Sequence, residues 1–164
     1  MTKETEITRV KLNEKWGYIK SDGTYLVKPK FDYAFEFCKG FARVVLNGKF
    51  GFIKTDGTYL IKPKFDCAFD YYNGFAEVKL KGKWGYIKPD GSYLIEPKFD
   101  NARYFSNGFA LVKLKGKWGI IDTDGTYLVE PIYDYVGTFS NELAVVKSNG
   151  KWGYIDTVGN FVNE

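Results

Sequence analysis

The sequence has 164 residues, enough for one domain, and 27% of them are charged, which is ordinary for a folded protein. Aromatic residues make up 19% of the chain, a high fraction that indicates a core of Phe, Tyr and Trp. The net charge is +4 and there is no histidine, which excludes Ser-His and Cys-His nucleophile pairs and every metal site that needs histidine.

The charge is unevenly distributed along the chain. Residues 1–82 hold 15 basic and 10 acidic side chains, whereas residues 83–164 hold 9 and 10. A basic half can attract an anionic partner, but the sequence has no arginine cluster of the kind that binds phosphates. Lysines at turns and strand edges also keep an aromatic-rich β-surface soluble. We prefer this second explanation, which argues against a nucleic-acid partner.

A Trp-Gly pair, or its Phe-Gly substitute, returns every 34 residues along the sequence. The five copies are Trp16-Gly17, Phe50-Gly51, Trp84-Gly85, Trp118-Gly119 and Trp152-Gly153. Repetition at a fixed period of this size marks a repeat architecture. Residues 1–164 are therefore predicted to form a single repeat domain, with units at about residues 7–40, 41–74, 75–108, 109–142 and 143–164.

Each unit is predicted to be a three-stranded antiparallel meander. In the third unit, residues 75–80 alternate between apolar and polar side chains, which is typical of a strand. The Lys81-Gly82 pair predicts a two-residue hairpin turn with positive φ angles, and residues 83–87 and 92–95 follow as the second and third strands. Pro97 is expected to end the pairing, because proline has no N–H to donate.

The predicted register divides the side chains of each unit between two faces of its sheet. In the second unit, the small or aliphatic face carries Ala42, Val44, Gly51, Ile53 and Leu60. The large face carries Phe50, Phe52, Tyr59 and Ile61. Both faces are apolar, so each sheet should be covered on both sides, with large faces against small ones. Gly51 and its equivalents should then leave room for a neighbour's ring, and the tryptophans should lie between stacked units.

Stacked meanders can form either an open array or a closed ring. The terminal units depart from the consensus. Glu14 replaces the turn glycine of the other units, and Glu142 and Val158 differ from the pattern near the other end. Atypical ends suit the caps of an open array. We therefore predict an all-β, open, solenoid-like array of five meanders stacked face to face, with a closed five-bladed propeller-like ring as the alternative.

The two cysteines, Cys38 and Cys67, are 29 residues apart and so occupy different positions of the repeat. A disulfide framework would follow the repeat, so both are predicted to be free thiols in a reducing compartment. The N-terminal segment lacks the apolar stretch of a signal peptide, and no apolar run is long enough to cross a membrane. We therefore expect a cytoplasmic protein with no membrane partner.

An aspartate recurs in the linkers, as Asp32, Asp66, Asp100 and Asp134. Catalysis by paired carboxylates needs one asymmetric constellation, whereas copies of one residue in successive units indicate a structural turn or cap. With no histidine and two unrelated cysteines, we predict no catalytic residue, no cofactor and no metal site. The protein is therefore expected not to be an enzyme.

The repeated run Gly-Lys-Trp-Gly-Tyr-Ile is followed by Asp-Gly, Pro-Lys-Phe-Asp and Gly-Phe-Ala-x-Val. This pattern resembles the WG (or KWG) β-repeat family of bacteria, and the resemblance covers residues from Ile7 to about Val162. Phe50 replaces the tryptophan in the second unit, which is a conservative departure. The family is defined by repetition and has no common activity. The resemblance therefore implies a repeat scaffold that binds another macromolecule.

The linker positions that change from unit to unit are the candidate binding residues. Positions that the fold demands must return in every repeat, whereas positions that contact a partner are free to differ. Several changing residues are aromatic or arginine, the types enriched at interface hot spots. The candidates are Phe35, Glu36, Phe69, Asp70, Tyr72, Arg103 and Tyr104.

These residues predict a non-catalytic scaffold that binds another protein through its linkers. The alternative is a carbohydrate-binding, lectin-like protein with one shallow aromatic pocket in each unit, because exposed rings stack on sugars. A lectin repeats its binding residues in every unit, whereas one equivalent linker position carries Phe35, Phe69, Arg103 and Gly137. This difference favours the protein-binding scaffold over the carbohydrate-binding one.

Overall fold

The computed structural model describes residues 6–162, and the regular secondary structure in that range consists of β-strands without any helix. Residues 1–5, on which the signal-peptide expectation depends, lie outside the described range, as do residues 163 and 164. Five antiparallel sheets follow one another along the chain. The first sheet contains β1 (Ile7–Leu12), β2 (Lys15–Lys20) and β3 (Tyr25–Phe31). The second contains β4 (Tyr33–Ala34), β5 (Phe41–Leu46), β6 (Lys49–Lys54) and β7 (Tyr59–Phe65).

The three remaining sheets repeat the plan of the second one. The third contains β8 (Cys67–Ala68), β9 (Ala76–Leu80), β10 (Lys83–Ile87) and β11 (Tyr93–Phe99). The fourth contains β12 (Asn101–Ala102), β13 (Phe109–Leu114), β14 (Lys117–Asp122) and β15 (Tyr127–Tyr133). The fifth contains β16 (Tyr135–Val136), β17 (Leu143–Ser148), β18 (Lys151–Asp156) and β19 (Phe161–Val162). In every sheet, strands that follow each other in sequence are neighbours.

Four of the five sheets have a fourth strand that the predicted three-stranded meander lacks. This extra strand is two residues long and comes from the linker that precedes the unit. In the third sheet, Ala68 of β8 pairs with Val78 of β9, and the N–H of Asp66 donates to the carbonyl of Lys79. Each linker is therefore hydrogen-bonded to the next unit along its first residues, which fixes its position.

The hairpin turns agree with the sequence prediction. Lys81 and Gly82 have φ angles of 50° and 78°, and Leu80 pairs with Lys83 across the turn. Positive φ at both central residues is the geometry of a type I′ turn, which matches the twist of the flanking strands. The X-Gly pairs therefore predicted these turns correctly.

The expectation that Pro97 ends its strand was wrong. Strand β11 continues through the proline to Phe99, with a bulge in which Trp84 pairs with Phe99 and Tyr86 pairs with Ile95. The bulge takes the proline out of the ladder, so its missing N–H costs no hydrogen bond. A Cβ atom at Gly85, between the two pairs, would lie 2.5 Å from the carbonyl oxygen of Ile95 and 2.6 Å from the nitrogen of Pro97.

The glycine of the Trp-Gly pair therefore serves its own sheet rather than a neighbour's ring. In the second unit, a Cβ atom at Gly51 would lie 2.6 Å from both the oxygen of Ile61 and the nitrogen of Pro63. The prediction that this glycine leaves room for an aromatic ring of a neighbouring unit was wrong, because the bulged third strand of the same sheet occupies the space.

A second bulge changes the predicted faces of the third strand. Phe52 pairs with Ile61 as expected, but Ile53 pairs with Tyr59 instead of Leu60. Tyr59 consequently packs on the small face, where its ring lies 6.1 Å from that of Phe31. Leu60 packs on the large face. The predicted faces of Tyr59 and Leu60 were therefore wrong, because one bulged residue reverses the alternation.

The stacking of large faces on small faces is confirmed. Between the second and third sheets, Phe52 and Phe65 meet Ala76 and Val78 in one buried cluster. Equivalent clusters lie between the first and second, third and fourth, and fourth and fifth sheets. The core is therefore a series of four layers, each closed by an aromatic face on one side and a small-residue face on the other.

The outer face of the fifth sheet is uncovered. Tyr154 is 42% exposed and Phe161 is 54% exposed, whereas Tyr86, at the position equivalent to Tyr154, is completely buried. Among residues 6–162, none of the four buried clusters joins the fifth sheet to the first. The described part of the chain is therefore an open array, as predicted, rather than the closed ring.

The tryptophans lie at the rims of these layers. Trp84 is only partly buried beside the cluster between the third and fourth sheets, and Trp152 is 60% exposed. The expectation that the rings lie between stacked units was therefore too simple, because the fully buried large residues on this face are its tyrosines and phenylalanines, such as Tyr86 and Phe99. Both Cys38 and Cys67 are free. No helix that could span a membrane occurs in the described range.

Candidate binding groove between the second and third linkers

The linkers are residues 32–40, 66–74, 100–108 and 134–142, and backbone hydrogen bonds hold each in place. In the second linker, the N–H of Phe69 donates to the carbonyl of Glu77 on β9 at 3.0 Å. The linker ends in a tight turn in which Tyr72 and Phe75 exchange two hydrogen bonds of 2.8 and 3.1 Å. Side chains on this segment are therefore presented from a fixed backbone.

The second and third linkers enclose an open groove of about 510 Å³. Its lining residues are Phe69, Asp70, Tyr72, Glu77, Ala102, Arg103 and Tyr104. Five of the seven residues predicted from the sequence thus come together at one place. They come from two consecutive linkers, which the stacking of the third and fourth sheets brings side by side.

Aromatic rings form the walls of the groove. Phe69 stacks on Trp84 with ring centroids 5.6 Å apart and an angle of 15° between the planes. Tyr72 and Tyr104, from different linkers, meet edge to face at 5.2 Å. Phe69, Tyr72 and Tyr104 are each half exposed or more. These rings cover the rim of the core and also present apolar surface to solvent.

The other two predicted residues, Phe35 and Glu36, lie in the first linker and do not line the groove. The guanidinium of Arg43 covers Phe35, with its central carbon 3.9 Å from the ring centroid. Glu36 accepts a hydrogen bond from Nε of Arg9 at 2.5 Å. Both side chains are therefore engaged within the molecule.

A bidentate ion pair with Arg43 holds the side chain of Asp70, one of the lining residues of the groove. Nε and Nη2 of Arg43 donate to the two carboxylate oxygens of Asp70 at 2.6 and 3.1 Å. Nη1 of Arg43 donates to the carbonyl of Ala68 at 2.8 Å. The fork-like geometry fixes the Asp70 side chain, and such pairs are stronger than those between neutral groups.

Glu77 is a functional candidate that the sequence reasoning missed. Its side chain is 6% exposed, and it is the only charged residue among those described that is buried. Burial raises the pKa of Glu77 to about 7. Glu77 stands at the repeat position that carries Arg9 and Arg43 in the first two units. This reversal of charge inside a strand was the signal that could have identified it.

Arg103 lies at the edge of the groove and is held by two contacts. Its guanidinium carbon lies 5.4 Å from the ring centroid of Trp118, a cation–π geometry. The hydroxyl of the buried Tyr86 donates to its backbone carbonyl at 2.6 Å. Burial, and secondarily the nearby Glu77, raises the pKa of Tyr86, so this hydroxyl stays protonated as a donor.

The recurrent linker aspartates bind the tips of hairpins. The carboxylate of Asp100 accepts the side chain of Lys83 and the backbone N–H of Lys115, the latter at 2.7 Å. Asp134 makes the same pair of contacts with Lys117 and Asn149. These contacts match the structural role that the sequence indicated. In the described range, no three His, Cys, Asp or Glu side chains are grouped in a way that could hold a metal ion.

Comparison with known proteins identifies the family. The sequence pattern described as "WG containing repeat" matches four consecutive segments, residues 16–50, 50–84, 84–118 and 118–152. The chain belongs to the WG-repeat family. The match bears out the predicted period and covers most of the chain. No significant match was found among curated proteins.

Several solved structures are similar to this WG-repeat chain in fold, and two of them illustrate the likeness. One is Hsv2 from Kluyveromyces marxianus, a β-propeller protein, with a TM-score of 0.50 and 10% identity. The other is a eukaryotic initiation factor, with a TM-score of 0.53 and 10% identity. The alignments cover 96% and 99% of this chain but 60% and 52% of the other two. At this identity the likeness concerns the fold alone, and this chain spans about half to three-fifths of those proteins.

Proposed function

We propose that this protein is a non-catalytic scaffold that binds another protein through the groove between its second and third linkers. The observation that supports the proposal is the convergence of Phe69, Tyr72 and Tyr104 on one open groove, each ring half exposed or more. Exposed aromatic residues grouped around a concave surface are typical of interface hot spots. We also propose that the protein acts without a cofactor.

The carbohydrate-binding alternative is less well supported by the groove. A lectin-like protein would repeat its pocket in each unit, but the equivalent place in the unit before is filled by Arg43 stacked on Phe35. In the unit after, Arg103 and Leu111 stand at the positions of Phe69 and Glu77. The groove is thus built from residues that differ between units, which favours a single partner protein.

The compartment is part of the same proposal. The free thiols of Cys38 and Cys67 support a reducing compartment, and the family resemblance supports a bacterial cytoplasm. The partner would then be another cytoplasmic protein. The test below therefore begins with an extract of the native cell.

Affinity capture from native-cell extract, followed by mass spectrometry, identifies the partner. The variant Phe69→Ser with Tyr104→Ser, which removes two exposed rings of the groove, is expected to weaken its binding by at least about tenfold. The matched control is Tyr25→Ser with Ile132→Ser, which makes the same kind of change at exposed positions away from the groove. Binding of the groove variant within about threefold of the wild type would show that the groove is not the interface. Binding to a glycan array instead would favour the lectin-like function.

A further inference from the structure

One lining residue of the groove is a buried carboxylate that has no cationic partner within residues 6–162. Glu77 is 6% exposed and lines the groove. It takes part in none of the ion pairs formed within residues 6–162. An unpaired charge is costly to remove from water. A carboxylate in this position is therefore suited to a cation that arrives from outside.

The preceding unit shows what occupies this place when the cation is internal. Arg43 lies one repeat before Glu77. Its guanidinium lies on the ring of Phe35 at 3.9 Å, donates to the carbonyl of Ala68 at 2.8 Å and pairs with the carboxylate of Asp70. A ring, a backbone carbonyl and a carboxylate together bind one guanidinium.

The first unit contains the same arrangement. Arg9 donates to the carbonyl of Ala34 at 2.9 Å and to the carboxylate of Glu36 at 2.5 Å. Its guanidinium carbon lies 5.2 Å from the ring centroid of Trp16. Two consecutive repeats thus fill this position with an arginine of the chain itself.

The third unit retains the surroundings of this guanidinium site but has no arginine in it. Phe69 stands where Phe35 stands, and Ala102 stands where Ala68 stands. Tyr104 replaces Asp70, and the carboxylate is supplied by Glu77 from the strand. Because the shorter glutamate replaces an arginine, the volume that the arginine side chain would fill remains as the open groove.

The other charged groups at the groove are already engaged. Asp70 is paired with Arg43, and the guanidinium of Arg103 lies over Trp118. Glu77 is therefore the carboxylate at the groove that is left without an ion-pair partner in the described range.

We propose that the groove binds the guanidinium group of an arginine side chain from the partner protein, with Glu77 as the carboxylate that receives it. Phe69 and Tyr104 would flank the planar cation, as aromatic rings do in cation–π contacts. A guanidinium is favoured over an ammonium because it stacks on rings and donates in a planar fork, as Arg43 does. The inference rests on the proposed function, since it assumes that the partner is a protein.

Titration of the isotope-labelled full chain with three capped pentapeptides tests the inference by NMR, at a pH above the raised pKa of Glu77, where its carboxylate is ionised. The peptides have Gly-Gly on both sides of a central arginine, lysine or citrulline, and citrulline is the neutral isostere of arginine. The arginine peptide is expected to shift the amide signals of Glu77 and Tyr104. The citrulline peptide should bind at least about tenfold more weakly, and the lysine peptide should lie between them.

Two substitutions of the same residue make the test specific. Glu77→Gln keeps the shape and removes the charge, so it should weaken arginine-peptide binding by about tenfold. Glu77→Arg should abolish binding, because it restores the internal arginine of the first two units. Glu130→Gln, which neutralises an exposed carboxylate on β15, should leave binding unchanged. Thermal unfolding of each variant checks that it is folded.

Equal binding of the arginine and citrulline peptides, or unchanged binding by Glu77→Gln, would overturn the arginine assignment. So would equal binding of the lysine peptide, or no shift at Glu77 with the arginine peptide. These outcomes leave the protein-binding function standing if the captured partner still depends on Phe69 and Tyr104. Failure of the proposed function would appear differently, as a captured partner that ignores the groove substitutions.

Discussion

The carboxylate of Asp32 accepts the backbone N–H of Asn47 at 2.6 Å, across the boundary between the first two units. Its other oxygen accepts the side chain of Lys15 at 2.5 Å. One side chain thereby joins the start of β2, the first linker and the tip of the β5–β6 hairpin. The same three-way contact recurs at Asp100 and Asp134.

We expect Asp100→Asn to lower the melting temperature at neutral pH. The hydrogen bond from Lys83 is the main cause that holds the pKa of Asp100 below its ordinary value. A carboxylate whose pKa is lower in the folded state than in the unfolded state stabilises the fold at pH values above its unfolded-state pKa. This stabilisation is lost as the pH falls through the pKa of the folded state. The difference between variant and wild type should therefore shrink in acid.

Circular dichroism melting curves from neutral to strongly acid pH measure this difference. Asp124→Asn is the matched control, because no hydrogen bond to the side chain of Asp124 is present in the described range. A melting difference for Asp100→Asn that persists unchanged in acid would contradict the linkage.

We also expect no substrate turnover to depend on Asp66 or Asp100.

Glu77→Gln should show the opposite dependence on pH. Burial raises the pKa of Glu77 from 4.5 to about 7. Between these two pH values the folded state keeps a proton that the unfolded state releases. The free energy of unfolding of the wild type should therefore fall, relative to that of the variant, as the pH rises from the lower value to the higher one. The full difference is on the order of 3 kcal/mol.

Urea unfolding of both proteins at a series of pH values tests this prediction. The comparison with the variant matters, because the lowered pKa values of the linker aspartates make their own contribution in the wild type and the variant alike. A difference between the two proteins that does not change with pH would show that Glu77 keeps its ordinary pKa.

Trp84→Ala should destabilise the protein more than Trp152→Ala. Trp84 is partly buried and stacks on Phe69, so its loss should cost about 2–3 kcal/mol, less than the roughly 3–5 typical of a fully buried ring. Trp152 is 60% exposed, and its removal should cost less than about 1 kcal/mol. Equal losses in urea unfolding would contradict the positions of these rings.

Glu142→Gly should stabilise the protein. Glu142 has a φ of 66° at the turn position where the third linker has Gly108, with a φ of 84°. A side chain in this left-handed region costs about 1 kcal/mol, which the substitution should recover. Gly108→Ala is the reciprocal change and should destabilise by a similar amount, since no atom crowds its Cβ position. Melting temperatures that move in the same direction for both would exclude this explanation.

The period of the sequence was sufficient to predict the hairpins and the stacking, because both depend on local and repeating physical rules. The pair Lys81-Gly82 favours a type I′ hairpin turn. A sheet with apolar side chains on both faces needs a neighbouring sheet on each side to bury them. The register of the third strand could not be obtained this way. A bulge opposite Gly51 depends on how Pro63 is accommodated, and alternation of side chains gives no sign of it.

The candidate site was predicted in part for a related reason. Comparison of linkers found Tyr72 and Tyr104, since these positions vary between repeats. A comparison of linkers does not reveal Glu77, because Glu77 lies in a strand. Its importance depends on its burial and on the lack of an ion pair within residues 6–162, and both are properties of the packed structure rather than of the sequence pattern.

The stacking of a large face on a small face gives the array a direction, so that its units are joined head to tail. The large face of the second sheet, with Phe52 and Phe65, is of the same kind as the large face that now packs on Ala110 and Val112 of the fourth sheet. It could therefore pack on that small face as well. Removal of residues 75–108 would therefore leave every remaining interface of the same kind. Such a shortened protein would lack Glu77, so the architecture and the recognition chemistry can change independently.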